Sequence, residues 1–360
     1  LVHYGCGSAV KSGLIKRVKW ALEHAGVKAV ELGGVMPNPR LSLVYEGIKL
    51  CKAEGVDFIL AVGGGSVIDS AKAIGMGAAG EGDVWDYYED KRTPESTIPV
   101  GVVLTVAAAG SEMSKSSVIT NDKTQVKRGR NAELSRPVFA ILNPEFTLSV
   151  PAYPTACGCA DIFMHTLERY LVSGETLRLT DSMAEALMTT VIASSKAVMR
   201  NLTDVKARAE LMWAGSLSHN GLTACGSEGG DWCTHSLGHE LSAKYDVAHG
   251  ASLTAVWGAW ARYVYKNKNC LNRFHKFAVQ VMGVRPNGTR EELALKGIEA
   301  CVEWFASLGL PTSIKALGVN PTQDELKLMA KNYIEHNGSG KGSCKKLDES
   351  DALAIYTAAL

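Results

Sequence analysis

The stretch FILAVGGGSVIDSAKAI, residues 58–74, decides the fold. Phe58 to Val62 is an unbroken apolar run, as a strand buried on both faces requires. Gly63, Gly64, Gly65 and Ser66 follow at once, and a helix starts directly after them. A strand that turns through glycines into a helix is the repeating unit of a parallel α/β sheet. Glycines also let a backbone approach a pyrophosphate, whose charge the N–H groups and dipole of a helix amino terminus can bind. The run is neither GxGxxG nor a Walker A lysine loop, so a simple tight turn remains an equal reading.

The alternation continues on both sides. Residues 1–4 read as strand, 13–25 as helix, 29–32 as strand and 40–54 as helix; 98–105 and 138–142 read as further strands, the last ended by Asn143-Pro144. Residues 107–113 form a loop placed to touch the same ligand, because ligands bind at the carboxyl ends of such strands. A second glycine turn, Tyr4-Gly5-Cys6-Gly7-Ser8, leads to Lys11. It holds no carboxylate to repel a 2′-phosphate, while Ser8 and Lys11 offer a donor and a charge, so NADP(H) is expected to be favoured over NAD(H). The chain begins inside this first strand without a methionine, so a truncated amino terminus with an exposed sheet edge is expected.

After Pro151 the pattern changes. Helical periodicity dominates over 161–173, 182–199, 206–222, 251–265, 291–308 and 323–334, and a Gly/Ser-rich loop at 337–345 precedes a final helix. The expected division is a dinucleotide-binding α/β domain over 1–150 and an all-helical metal and substrate domain over 151–360.

Two segments of the second half concentrate metal-binding chemistry: GCADIFMHTLERY at 158–170 and DWCTHSLGHELSAKYDVAHGAS at 231–252. Asp161 and His165 are four apart on one helix, so both leave the same face. His235 and His239 repeat that spacing, and His249 follows a break at Tyr245-Asp246, with Gly250 suited to close approach of another helix. One carboxylate and three imidazoles can converge, a set that suits Fe²⁺ or Zn²⁺ with open positions for a substrate oxygen. A single helical histidine is more often an ordinary core or surface residue. Here, however, five of the nine histidines (165, 219, 235, 239, 249) fall in one stretch. Spacing does not decide between His235 and His239. Phe163, Trp257 and Trp260 are expected to give the site apolar walls.

Composition sets bounds. The 360 residues are 46% hydrophobic and 21% charged with a net charge of +1, which gives no field favouring nucleic acid or anionic membrane. Nine dispersed cysteines without a CxxC pair suggest reduced thiols and a cytoplasmic setting. No apolar run is long enough to span a membrane.

With ELGGVMPNPR (31–40), AVGGGSVIDSAKAI (61–74), GSEMS (110–114), DIFMHTLERY (161–170) and HSLGHELSAKYDVAHG (235–250), the sequence resembles the iron-containing alcohol dehydrogenase family over nearly its whole length. The resemblance is to its butanol-dehydrogenase-like and NADPH-dependent aldehyde reductase branch. It implies a dehydroquinate-synthase-like fold: a Rossmann-like domain, a helical domain and an active site in the cleft between them. It also implies metal ligands at Asp161, His165, His235 and His249, with His239 beside the nicotinamide and substrate as a candidate proton relay. Cofactor contacts are implied at Gly63, Gly64, Gly65, Ser66, Asp69, Asn38, Thr105 and Lys127, to which the residues themselves add Gly7, Ser8 and Lys11. A homodimer is expected. The sequence departs from the family at Ala107–Ala109, where a hydroxyl contact to the cofactor is lost, at Cys6 in place of Gly, and at Asn143 in place of Asp in a cap.

The implied reaction is hydride transfer between NAD(P)H and a short to medium apolar aldehyde or primary alcohol such as butanal or butanol. Two alternatives stand beside it: a non-redox metal lyase of the dehydroquinate-synthase kind and a glycerol-dehydrogenase-like polyol enzyme. The lyase would need several Lys and Arg for a phosphorylated acidic substrate, and the ligand helices are poor in them. A third, non-enzymatic reading is a metal- and nucleotide-binding sensor, since motifs do not prove turnover.

Overall fold

A computed structural model of the chain describes residues 1–5, 7–174, 177–267, 270–338 and 341–360. It divides into two compact units, Leu1–Pro151 and Ala152–Leu360. In chain order the first contains β1 (Val2–Gly5), α1 (Ser8–Lys11), α2 (Leu14–His24), β2 (Glu31–Val35), α3 (Leu41–Glu54), β3 (Ile59–Gly63), α4 (Gly65–Ala79), α5 (Trp85–Tyr88), β4 (Val100–Leu104), β5 (Ser116–Asn121), β6 (Val126–Asn131) and β7 (Phe139–Ile141). The second contains α6 (Ala152–Tyr170), α7 (Arg178–Arg200), α8 (Val205–His219), α9 (Cys233–Tyr245), α10 (His249–Val264), α11 (Leu271–Gln280), α12 (Arg290–Ser307), α13 (Gln323–Asn337) and α14 (Glu349–Ala358).

The first unit is a parallel sheet in the order β2-β1-β3-β4-β7, as its apolar strands and intervening helices imply. All five residues of β4 are buried, and β4 pairs in register with β3 from Ile59 opposite Val100 to Gly63 opposite Leu104. Alternation along β1 serves both faces of the sheet. Val2 packs with Leu14 and Ile15 of α2 and with Val62 and Val103. His3 instead donates from Nδ1 to Leu32 O and accepts at Nε2 from the Ser70 hydroxyl of α4. β2 runs to Val35, because pairing places Val35 opposite Gly5; the local apolar run at 29–32 marks the strand's approach rather than its extent.

One antiparallel pair, β5–β6, has no counterpart in the sequence reading. Its strands are polar, so the alternation that betrays a strand is missing. Asn143 keeps the capping function expected of Asp, its Oδ1 accepting from Glu145 N.

In the helical unit α6 begins at Ala152 and not near Asp161. Pro154 lies in the first turn, where a missing N–H costs nothing, so it does not interrupt the helix. From Thr155 to Tyr170 every residue of α6 is buried, which makes it the central helix of this unit. α10 crosses it so closely that a Cβ at Gly250 would lie 2.2 Å from Cys157 O.

Three expectations need correction. Phe163, Trp257 and Trp260 do not wall the metal residues: all three are fully buried in the core. Phe163 lies 4.5 Å from the Trp304 ring, Trp257 5.9 Å from Phe305 and Trp260 6.1 Å from Phe274. Phe163, two residues past Asp161, points to the opposite side of α6, and the tryptophans lie more than two turns beyond His249. The thiols are not all reduced, since Cys270 and Cys344 form a disulfide; among the described residues Cys51, Cys157, Cys159, Cys225, Cys233 and Cys301 are free. These partners stand 74 apart in sequence, a separation that carries no motif. Finally α11, at 271–280, was not anticipated. Among the described residues no helix is long and apolar enough to cross a membrane.

Candidate functional site

Asp161 and His165 leave one face of α6, His235 leaves the first turn of α9, and His249 opens α10. Asp161 Oδ1 is the hub. It lies 3.6 Å from His165 Nδ1, 3.7 Å from His235 Nε2 and 3.6 Å from His249 Nε2. Those separations are too long for hydrogen bonds. They approach the roughly 3.4 Å between neighbouring donors on one tetrahedral ion with metal–ligand bonds of about 2.1 Å.

Three of these atoms, Asp161 Oδ1, His165 Nδ1 and His235 Nε2, are buried with no hydrogen-bond partner. They also lie within 4.8 Å of one another. The neutral tautomer of His235 is set by Nδ1–H, which donates to Glu168 Oε2, so Nε2 directs a lone pair at the carboxylate oxygen of Asp161. Two acceptors facing each other in a dry site repel unless a cation lies between them. The donor set of one oxygen and three nitrogens therefore fits a divalent first-row ion. His249 is the most accessible donor, with 24% of its side chain exposed against 6% for Asp161. His239 is half-buried one turn along α9, its ring 5.2 Å from that of His249, on the same more open flank.

The surroundings pull the histidines apart electrostatically. Burial, then His219, His235, Arg169 and His249, drive the His165 imidazole well below its ordinary pKa. Burial also opposes the charging of His235, but with only protein groups around it Glu168 and Asp161 outweigh burial and push that imidazole up to about 9, so a proton and a metal ion compete for the same Nε2 lone pair. Behind His165, Arg169 donates to His165 O and Ser218 O, lies over the Trp232 ring at 4.5 Å and contacts His219 Nδ1. Trp232 holds a left-handed φ of 62°, which is strained for a bulky side chain, directly before α9.

The sequence reading missed Glu168. Its signal was position: Asp161, His165 and Glu168 follow at i, i+4 and i+7, a single stripe along α6.

In the first unit the candidate dinucleotide residues gather at one edge of the sheet. Gly7 and Ser8 follow β1, Asn38 follows β2, Gly63 ends β3 with Gly64–Ser66 after it and Thr105 follows β4, all at carboxyl ends of adjacent strands. Thr105 N donates to Gly63 O. None of the three glycines needs a positive φ; they answer crowding, since a Cβ at Gly64 would sit 2.9 Å from Val106 Cβ. The helix that starts there has no side-chain cap and no acidic residue in its first turn, so its amino terminus suits an anion.

Lys127, on β6, reaches Asn38 Oδ1 with Nζ at 2.9 Å, joining two candidates 89 residues apart. Ser8 and Lys11 are exposed, and Cys6 lies outside the described residues. Asp69 also holds the neighbouring segment. Its carboxylate accepts from the Ser111 hydroxyl and from Val118 N, holding the 111–118 segment against α4. The buried Lys72 assists, donating to Ser111 O, Ser111 Oγ, Ser114 O and Ser116 O.

Comparison with known proteins shows the family. The model of iron-containing alcohol dehydrogenases matches residues 1–144, and that of the Fe-containing alcohol dehydrogenase family, C-terminal, matches 155–360. NADH-dependent butanol dehydrogenase A of Clostridium acetobutylicum is 38% identical over 99% of this chain and 90% of its own length. The NADPH-dependent aldehyde reductase YqhD of Escherichia coli is 32% identical over 100% of this chain and 92% of its own. The crystal structure of NADH-dependent butanol dehydrogenase A from Thermotoga maritima superposes with a TM-score of 0.94 at 36% identity, covering 99% of this chain and 90% of that one. With both halves matched and relatives of this identity aligned end to end, the chain belongs to the iron-containing alcohol dehydrogenase family, in its butanol-dehydrogenase-like branch, and is an oxidoreductase.

Proposed function

We propose that the chain is a metal-dependent alcohol dehydrogenase that reduces short to medium aldehydes such as butanal, and oxidises the corresponding primary alcohols, with NAD(P)H as the hydride carrier. The observation that carries this reading is the set of buried, unpartnered acceptors Asp161 Oδ1, His165 Nδ1 and His235 Nε2 facing one another in a member of this family. Asp161, His165, His235 and His249 would hold Fe²⁺ or Zn²⁺. When bound, the ion supplies Lewis-acid polarisation of a carbonyl and the nicotinamide supplies the hydride. His239, on the accessible flank, moves the proton between its imidazole nitrogen and solvent. The uncapped start of α4 at Gly63–Ser66 and the Asn38–Lys127 pair hold the dinucleotide, with Asp69 and Thr105 supporting the same edge.

The test follows NADPH absorbance with butanal after stripping by a chelator and after adding back Fe²⁺ or Zn²⁺. Turnover should vanish and return with metal. Undiminished activity in protein shown by elemental analysis to be metal-free would refute the reading, as would better oxidation of glycerol than of butanol.

The cofactor preference is proposed as NADP(H), resting on exposed Ser8 and Lys11 at the end of β1. The relatives divide by name between NADH and NADPH. Lys11→Ala should reduce the kcat/KM ratio of NADPH to NADH roughly fivefold, corresponding to about 1 kcal/mol for an exposed charge-assisted contact. A homodimer in the cytoplasm completes the proposal. Sedimentation checks the assembly, and fractionation of the source cells checks the compartment.

A further inference from the structure

We propose that Glu168 is a positioning residue of the metal centre: from α6 it fixes the ring and tautomer of His235 on α9 and supplies the second negative charge that a divalent ion there requires. The inference rests on the reading of His235 as a ligand.

Glu168 has no exposed surface. Both of its oxygens are committed to the first turn of α9. Oε1 accepts from Thr234 N at 2.7 Å and from His235 N at 3.3 Å, and Oε2 accepts from His235 Nδ1. A buried carboxylate is costly unless its charge is answered. The neighbouring cations act on Glu168 only through space, and their hydrogen bonds go elsewhere: Arg169 donates to His165 O and Ser218 O, and Lys341 to Asn337 Oδ1. The charge of Glu168 is therefore directed at the amino terminus of α9, which has no side-chain cap of its own, and through the imidazole at the centre beyond it.

An imidazole that donates from Nδ1 presents a lone pair at Nε2, and this is the atom 3.7 Å from Asp161 Oδ1. Without that acceptor the ring could exchange tautomers or rotate, and Nε2–H would point at the site. Charge gives a second, independent reason. One carboxylate and three neutral imidazoles leave a bound divalent ion with a net charge of +1 in a site whose Asp161, His165 and His235 side chains are 6%, 6% and 7% exposed. Glu168 adds a second negative charge to that buried assembly, which also has the Arg169 guanidinium at its back. Carboxylates that hold metal-bound histidines in this way commonly change metal affinity 10- to 100-fold when removed.

The test uses the full chain, stripped of metal and titrated with Co²⁺ alone, as wild type, Glu168→Gln, Glu168→Ala and His235→Ala. Three quantities are read: the dissociation constant by competition with a chromophoric chelator, the Co²⁺ d–d absorption, and the melting temperature of the metal-free protein. Glu168→Ala should weaken binding roughly 10- to 100-fold and change the spectrum. Glu168→Gln, which keeps an acceptor but loses the charge, should fall between it and wild type. A residue that only caps α9 would lower the metal-free melting temperature while leaving the constant within twofold and the spectrum unchanged; that result overturns the proposal. If Glu168→Ala does not fold, an unchanged constant and spectrum in the isosteric Glu168→Gln overturns it equally. Undisturbed cobalt binding in His235→Ala would instead refute the ligand assignment on which the proposal rests, so the two failures are distinct.

Discussion

His235 and His239 stand one turn apart on α9, and nothing in their spacing separates a chelator from a proton carrier. Their contacts differ, and the proposed roles follow that difference: Nε2 of His235 faces Asp161 Oδ1, whereas the ring of His239 lies beside that of His249 on the more accessible flank. His235→Ala and Asp161→Ala should therefore lose bound metal together with turnover. His239→Ala should retain metal by elemental analysis and lose turnover by roughly 10²- to 10⁴-fold, the range for removal of a general acid–base group. Equal metal loss in His239→Ala would reverse the assignment. The candidate ligands could be picked out in advance because i, i+4 pairs of His and Asp are uncommon on an apolar helix. Glu168 could not, because a glutamate on a helix is ordinary until its neighbour on α9 is known. Phe163, Trp257 and Trp260 misled for the same reason: a local window does not say which face of a helix meets a site and which meets the core.

Among the elements, the strands were legible where burial on both faces demands an apolar run, as in β3 and β4, and illegible where it does not. β5 and β6 are polar, and their partner strand and the underlying α4 hold them. Lys72 makes that dependence measurable. Lys72→Met leaves the carbonyls of Ser111, Ser114 and Ser116 without this donor in a buried setting. It should cost about 3 to 5 kcal/mol in urea denaturation, as removal of one partner from a buried charged network does. It should also weaken dinucleotide binding, since the loosened segment is the one Asp69 holds.

His3 links β1, β2 and α4 as a neutral imidazole, with burial holding its pKa down at about 4 against 6.5 for an ordinary histidine. Between those values the unfolded chain binds a proton that the folded chain does not. The stabilisation is thus complete above about pH 6.5 and is lost as pH falls toward 4. At pH 5 the loss should be on the order of 2 kcal/mol. His3→Gln, which can keep both hydrogen bonds, should flatten that part of the urea-midpoint profile. A profile identical to wild type would show that His3 is not the group responsible.

At the scale of the whole molecule, the four proposed metal ligands lie in the unit 152–360, and the proposed dinucleotide contacts in the unit 1–151. Each ligand should therefore leave its own signature on the intact chain. Saturation at about 100 times Kd stabilises the state that binds by about 2.7 kcal/mol. For a folding unit the size of 152–360, this corresponds to a rise in melting temperature of roughly 5 to 10 °C. Hydrogen exchange resolves where that stabilisation is felt, because local opening is slowed most in the elements that supply the ligands. Zn²⁺ alone should slow exchange in α6, α9 and the start of α10, where Asp161, His165, His235 and His249 reside. NADPH alone should slow it at the ends of β1 to β4 and at the start of α4. Protection of the sheet edge by Zn²⁺ alone, with α6 and α9 unchanged, would mean that the cation binds elsewhere and that the four residues around Asp161 Oδ1 have another role.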